Sequence, residues 1–180
     1  MKKTIFLAII ASSLFACSTP SDKKTETTTT DATATSATTA GTVTTTGPEV
    51  ELMKKALNAW ATADWATYLS CYADTAVSVH NAWAQSNDTT IARKVPSYID
   101  LFKKSRLQMD GNVSVDNSIF EVVTMPNGSK YGHAWVGVSW KNKKGETSKT
   151  TIFNSYGIQD GKFTYDWPIY DNKEFDKLLK

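Results

Sequence analysis

The residues able to do chemistry are few, and they cluster toward the C-terminal end of the chain. His133 and Trp135 alternate in KYGHAWVGVSW, Asn154 and Tyr156 in TTIFNSYGIQ, and Tyr165 and Trp167 in FTYDWP. Alternate side chains of an extended strand point to one face, so each pair presents its members together. Side by side, His133, Trp135, Asn154, Tyr156, Tyr165 and Trp167 make an aromatic cleft with imidazole, amide and phenol tips. That is the lining of a mostly apolar pocket whose polar groups orient a small molecule. The same aromatics also suit a filled core with locally satisfied polar atoms, and the sequence leaves both readings open.

Proton transfer needs a base in that cleft, and the candidates are the chain's two histidines, His133 and His80. Neither has an acid placed to orient it. Strict alternation leaves the expected pocket face without a carboxylate. Asp166 has the wrong parity, Asp116 is opposite in parity to Val115 and Ile119, and Asp74 falls at a helix end. Two histidines fall short of a metal site, which takes three or four ligands. There is no glycine-rich phosphate loop and no serine elbow, so neither metal nor cofactor is expected. Cys71, among Trp65, Tyr68, Leu69 and Tyr72, reads as a small buried hydrophobe rather than a nucleophile.

The elements that must position these residues change type part-way along the chain. Gly47-Pro48 with Glu49 and Glu51 starts a helix, proline in its first turn and acids at its positive end. Met53, Ala56, Leu57 and Trp60 form its apolar face. Asp64 caps a second, shorter helix carrying Trp65, Tyr68, Leu69 and Tyr72. A short strand follows over 76–80. A third helix is expected over 94–109, with Val95, Ile99 and Phe102 inward. After Gly111 the pattern is extended: 112–124, 130–142, 147–159 and 163–170, separated by Pro126-Asn127-Gly128, Lys143-Lys144-Gly145 and Asp160-Gly161. Helices first and antiparallel strands after give an α+β domain with helices on one face of a curved sheet.

Three stretches carry a family resemblance: Ala59-Trp60 to Tyr72-Ala73-Asp74, the helix from Arg93 to Phe102, and Ile158-Gln159-Asp160-Gly161-Lys162-Phe163 running on to Tyr170-Asp171. Together they resemble the nuclear-transport-factor-2-like superfamily in its SnoaL-like branch. The resemblance implies a cone-shaped, cystatin-like fold over 48–171, with three N-terminal helices closing a bent antiparallel sheet over a deep pocket. Its members include isomerases, dehydratases, hydrolases, polyketide cyclases and non-catalytic binding domains, so it implies a fold without naming a reaction.

Upstream, Met1-Lys2-Lys3 and the apolar run to Ala16 read as a signal peptide over 1–16, too short to remain as a spanning helix. Leu14-Phe15-Ala16-Cys17 resembles the bacterial lipobox, which implies lipidation at Cys17. Each buried methylene contributes ~0.8 kcal/mol, so two or three acyl chains anchor firmly. Residues 17–47 are a Thr-rich linker with almost no large apolar residue, a flexible coil reaching about 30 Å. The globular domain occupies 48–180. A formal charge of +2 with signs interspersed gives no electrostatic reason to expect nucleic acid. The expected protein is a lipid-anchored domain of the bacterial cell envelope, on the outer membrane facing the periplasm, that binds a small apolar or planar molecule without catalysis; the alternatives are an acid–base enzyme with His133 or His80 as base and Tyr156 and Asn154 as polarising donors, and a dimerising interaction module. Its expected partners are the membrane, a small-molecule ligand and a second copy. In the last case Trp140 and its convex-face neighbours form the apolar patch.

Overall fold

The structure, a computed structural model, describes residues 41–79, 93–171 and 173–174. The signal-like segment, most of the Thr-rich segment, Cys17 and His80 lie outside these residues. Strand β1 spans Thr42–Thr44, helix α1 Pro48–Ala61, helix α2 Trp65–Ser70 and strand β2 Tyr72–Ser78. Then come β3 (Arg93–Lys94), helix α3 (Val95–Arg106), β4 (Ser114–Thr124), β5 (Lys130–Lys141), β6 (Thr147–Gln159) and β7 (Lys162–Ile169). The strands form one sheet in the order β1-β4-β5-β6-β7-β2-β3.

Local chemistry explains most boundaries. Pro48 opens α1 with Glu49 and Glu51 in its first turn, and Asp64 caps α2 by accepting from the Thr67 N–H at 3.1 Å. Asp160 and Gly161 both adopt positive φ, 51° and 69°, as a two-residue hairpin turn between twisted strands requires. Thr42–Thr44, expected in the linker, instead pairs with Val122–Thr124 as an edge strand. The sheet is also mixed rather than antiparallel, because β2 runs parallel to β7. Strands β3 to β6 separate these two in sequence, so no hairpin forces them antiparallel.

The core lies between the helices and one sheet face. From α1 it takes Val50, Met53, Ala56 and Ala59; from β5, Ala134, Val136, Val138 and Trp140; from β7, Phe163. This reverses the facing expected for β5. His133 and Trp135 lie on the outer face, and Trp140, expected outside, is buried. Gly132 shows how closely α1 approaches: a Cβ there would lie 2.7 Å from Met53 Sδ.

A β-bulge sets the facing of β7. Ile158 pairs with Phe163 but Gly157 with Tyr165, so Thr164 is an extra residue in the ladder. Phe163 stays inward, and after the bulge Asp166 and Pro168 are inward while Tyr165 and Trp167 are outward. The expectation that Tyr165 and Trp167 face the pocket and Asp166 faces away is therefore corrected by one residue of register.

Candidate functional site

A cavity of about 70 Å³ opens between the helices and the inner sheet face. Ala56, Leu57 and Trp60 of α1, Tyr68 of α2 and Phe102 of α3 line one side. Val136, Ile152, Asn154, Tyr156, Asp166 and Pro168 line the other, with Tyr170 beyond the end of β7. Most of this wall is hydrocarbon or aromatic. The polar end consists of Asp166, Tyr156, Asn154 and Tyr68.

Asp166 is 1% exposed. Tyr72 donates to its Oδ2 at 2.7 Å, and the Tyr68 and Tyr72 hydroxyls lie 2.8 Å apart. With the Tyr72 proton directed at the carboxylate, Tyr68 is the donor of that second bond, and the relay runs Tyr68 to Tyr72 to Asp166. A hydrogen bond to a charged group contributes ~1.5–3 kcal/mol, which offsets part of the cost of burying the carboxylate. Ring packing fixes the relay. Tyr68 meets Tyr72 at 5.1 Å between centroids, Tyr72 meets Phe163 edge-on at 5.1 Å, and Tyr156 stacks on Phe163 at 4.3 Å.

Tyr156 and Asp166 are direct cross-strand partners on β6 and β7, which places their Cα atoms ~4.5–5.5 Å apart. Burial pushes the Tyr156 phenol well above its ordinary range, and the Asp166 charge adds to this. A hydrogen bond from Asn154 works the other way. Tyr156 is therefore a neutral phenol at any ordinary pH and keeps its proton to donate. Among the described residues, the Asn154 Oδ1 and the fully buried Ser78 Oγ have no hydrogen-bond partner. Ser78 pairs with Asp166 across the parallel β2–β7 ladder, so polar capacity is concentrated around this carboxylate.

Two of the six residues expected in the pocket, Asn154 and Tyr156, line it. His133 lies on the outer face, its Nδ1 3.1 Å from Glu121 Oε1, beside Trp135 and Phe153. Trp167 is exposed on that face too. Tyr165 covers Gly157, where a Cβ would come within 2.5 Å of its ring, and it lines a separate open groove of about 760 Å³. The groove is the larger concavity, but its lining is mostly polar. Its apolar lining and its buried carboxylate favour the smaller cavity as the chemical site.

Sequence reasoning missed Asp166, Tyr68, Trp60 and Phe102 as pocket residues. One signal for Asp166 was present. Phe163 and Pro168 are both apolar but of opposite parity, so they share a buried face only if a bulge lies between them. Cys71 behaves as expected: it is fully buried, and burial pushes its thiol above the usual range. Among the described residues no group of acids, histidines or cysteines could hold a metal ion, and no helix is long and apolar enough to cross a membrane.

No protein-family model and no curated protein matches the chain in sequence. Solved structures match its shape. IdmH of Streptomyces antibioticus, a candidate polyketide cyclase, has a TM-score of 0.56 at 15% identity, covering 73% of this chain and 97% of that one. An NTF2-like protein of unknown function from Burkholderia pseudomallei scores 0.53 at 11% identity, covering 75% and 99%. An NTF2-like protein from Burkholderia xenovorans scores 0.53 at 11% identity, covering 74% and 96%. The domain has the nuclear-transport-factor-2-like fold. Within that NTF2-like fold, the helix-lined cavity and its buried acid are features of this chain's own residues.

Proposed function

We propose that the NTF2-like domain binds a small, largely apolar carbonyl compound in the inner cavity and moves a proton on it. The buried carboxylate of Asp166, facing Tyr156 across the β6–β7 ladder, carries this reading. Asp166 accepts a proton from the carbon next to the carbonyl. The C–H electron pair forms a carbon–carbon double bond and the carbonyl π pair moves onto oxygen, where the neutral Tyr156 hydroxyl donates a hydrogen bond to the charge that develops; Asp166 then returns the proton to carbon. Apolar walls strengthen both interactions by excluding water. The Tyr68–Tyr72 relay holds the carboxylate in place and stabilises its charged form. The fold neighbours include a candidate polyketide cyclase, and that architecture suits acid–base work of this kind.

Binding without turnover is the second reading, favoured by the size of the cavity. About 70 Å³ is well under the ~300 Å³ at which drug-sized pockets begin, so the cavity takes a few heavy atoms unless Trp60, Phe102 or Tyr170 moves. Ligand-observed NMR with a panel of small ketones and phenols tests the site itself. The expected result is binding by wild type that weakens at least tenfold in Asp166→Asn. Ligands indifferent to that change would refute the site.

We propose in addition that a lipid at Cys17 tethers the domain to the cell envelope. Its support is the lipobox-like Leu14-Phe15-Ala16-Cys17. Metabolic labelling with an alkyne fatty acid should mark wild type and leave Cys17→Ser unlabelled. Labelling unchanged by the substitution would exclude the anchor.

A further inference from the structure

The polar groove is the one large concavity that the cavity chemistry leaves unused. Two hairpin turns, at 126–129 and 160–161, stand at the same end of the sheet, since Lys130 pairs with both Thr124 and Ile158, and Gln159 with Lys162. The groove between them has a volume of about 760 Å³, inside the ~300–1,000 Å³ range of small-molecule sites. One in-register row forms its floor: Tyr131 on β5 pairs with Gly157 on β6, and Gly157 with Tyr165 on β7. Directly paired residues share a face of the sheet, so the two tyrosines point the same way, their Cα atoms ~10 Å apart at the usual strand spacing. The residue between them has no side chain. Tyr165 leans over that gap, with two ring carbons 2.5 Å from where a Gly157 Cβ would stand, and glycine is what permits so close an approach. The Thr164 bulge brings its Oγ1 to within 2.8 Å of the same point, in keeping with the use of bulges to re-aim side chains at binding sites.

The rim is polar on both sides. Asn127 and Ser129 come from one turn, Gln159 and Asp160 from the other. The Asn127 Oδ1 accepts the Ser129 N–H at 3.0 Å, which leaves its amide NH₂ to donate. Among the described residues, the side chains of Tyr131, Gln159, Asp160, Thr164 and Tyr165 make no hydrogen bond within the protein. Glu49 and Lys130, also in the lining, neutralise one another as an ion pair. We propose that this groove binds a neutral saccharide. A pyranose carries C–H groups on the faces of its ring and hydroxyls around its rim, and each hydroxyl both donates and accepts. The tyrosine rings supply apolar surface for the faces. Amides, hydroxyls and the Asp160 carboxylate supply donors and acceptors for the rim. At this volume the groove has room for about two or three sugar rings.

Other ligand classes fit less well. A phosphate or carboxylate would meet Asp160, with Lys130 already held by Glu49. A lipid tail would meet a mostly polar lining. An extended peptide adds to an open strand edge, whereas β5, β6 and β7 are each paired on both sides. Among the described residues the groove shares none of its lining with the inner cavity, so saccharide binding is independent of the proton transfer proposed there.

The test is saturation-transfer NMR on the full chain, held in a detergent without a sugar headgroup, with cellotriose, maltotriose and chitotriose as probes. Wild type is expected to transfer saturation to the ring C–H protons of at least one of the three. Tyr131→Ala and, separately, Gln159→Ala should raise the dissociation constant of that sugar at least tenfold, with far-UV circular dichroism unchanged. Lys141→Ala, at the opposite end of β5, should bind as wild type does. Gln159 is the safer of the two groove positions for folding because it is exposed. Absence of transfer to all three sugars would overturn the proposal, as would a sugar held equally well by wild type and both groove variants. Preference for a galacturonate trimer over the neutral sugars would overturn the assignment of a neutral ligand.

Discussion

A carboxylate that is 1% exposed persists because a tyrosine hydroxyl donates to it and a second tyrosine donates to the first. Its charge also adds to what burial does to its neighbour Tyr156. Burial and the Asp166 charge together raise the Tyr156 pKa, so the folded protein binds that phenolic proton more tightly than the unfolded chain does. The stability this contributes is fully present below the unfolded tyrosine pKa of ~10 and is lost as pH rises beyond it. Chemical denaturation should therefore show the wild type losing stability above about pH 10, and Tyr156→Phe losing measurably less over the same interval. Equal alkaline slopes in the two proteins would mean that Tyr156 is not held as a buried neutral phenol. The types of these residues could be read from the sequence, and Asn154 and Tyr156 fell in the expected place. Asp166 was legible as an acid but not as a pocket residue.

Among the elements, what was legible and what was not divides along one physical line. Helix starts and hairpin turns are written in local chemistry: Pro48 with two acids, Asp64 as a cap, Asp160-Gly161 at positive φ. The facing of a strand depends on where it packs. On β7 the extra residue at Thr164 reverses everything after it, and its one mark in the sequence is the opposite parity of Phe163 and Pro168. On β5 the facing is written in the sequence, since Ala134, Val136 and Val138 are an ordinary core run and they are the buried set, while His133 and Trp135 between and beside them lie on the outer face. The bland apolar parity was the better guide. One further prediction belongs to these elements. Gly132 lets α1 lie against β5, with Met53 Sδ 2.7 Å from where a Cβ would stand. Gly132→Ala should therefore cost ~1–3 kcal/mol through overpacking, measured by urea unfolding. A neutral result would show that Met53 can move aside freely.

Over the whole molecule, the sheet has two unlike faces. The inner one, covered by the helices, holds a small cavity with the buried acid Asp166 at its polar end. The outer one presents an in-register apolar row of Ile119, Trp135, Phe153 and Ile169. Likeness to solved structures at 11–15% identity fixes the NTF2-like fold and leaves the chemistry to these side chains. The bulge at Thr164 joins the two faces, since it sends Asp166 inward and Trp167 outward on the same strand. The claim that matters most is that Asp166 takes a proton from a bound carbonyl compound. It is tested most directly by following, with proton NMR in deuterated buffer, exchange at the carbon next to the carbonyl in those ketones that bind. The account predicts exchange accelerated by wild type and reduced at least a hundredfold in Asp166→Asn, as general-base contributions of ~10²–10⁴ require. Bound ketones that exchange at the buffer rate in wild type, or equally fast in both proteins, would contradict it.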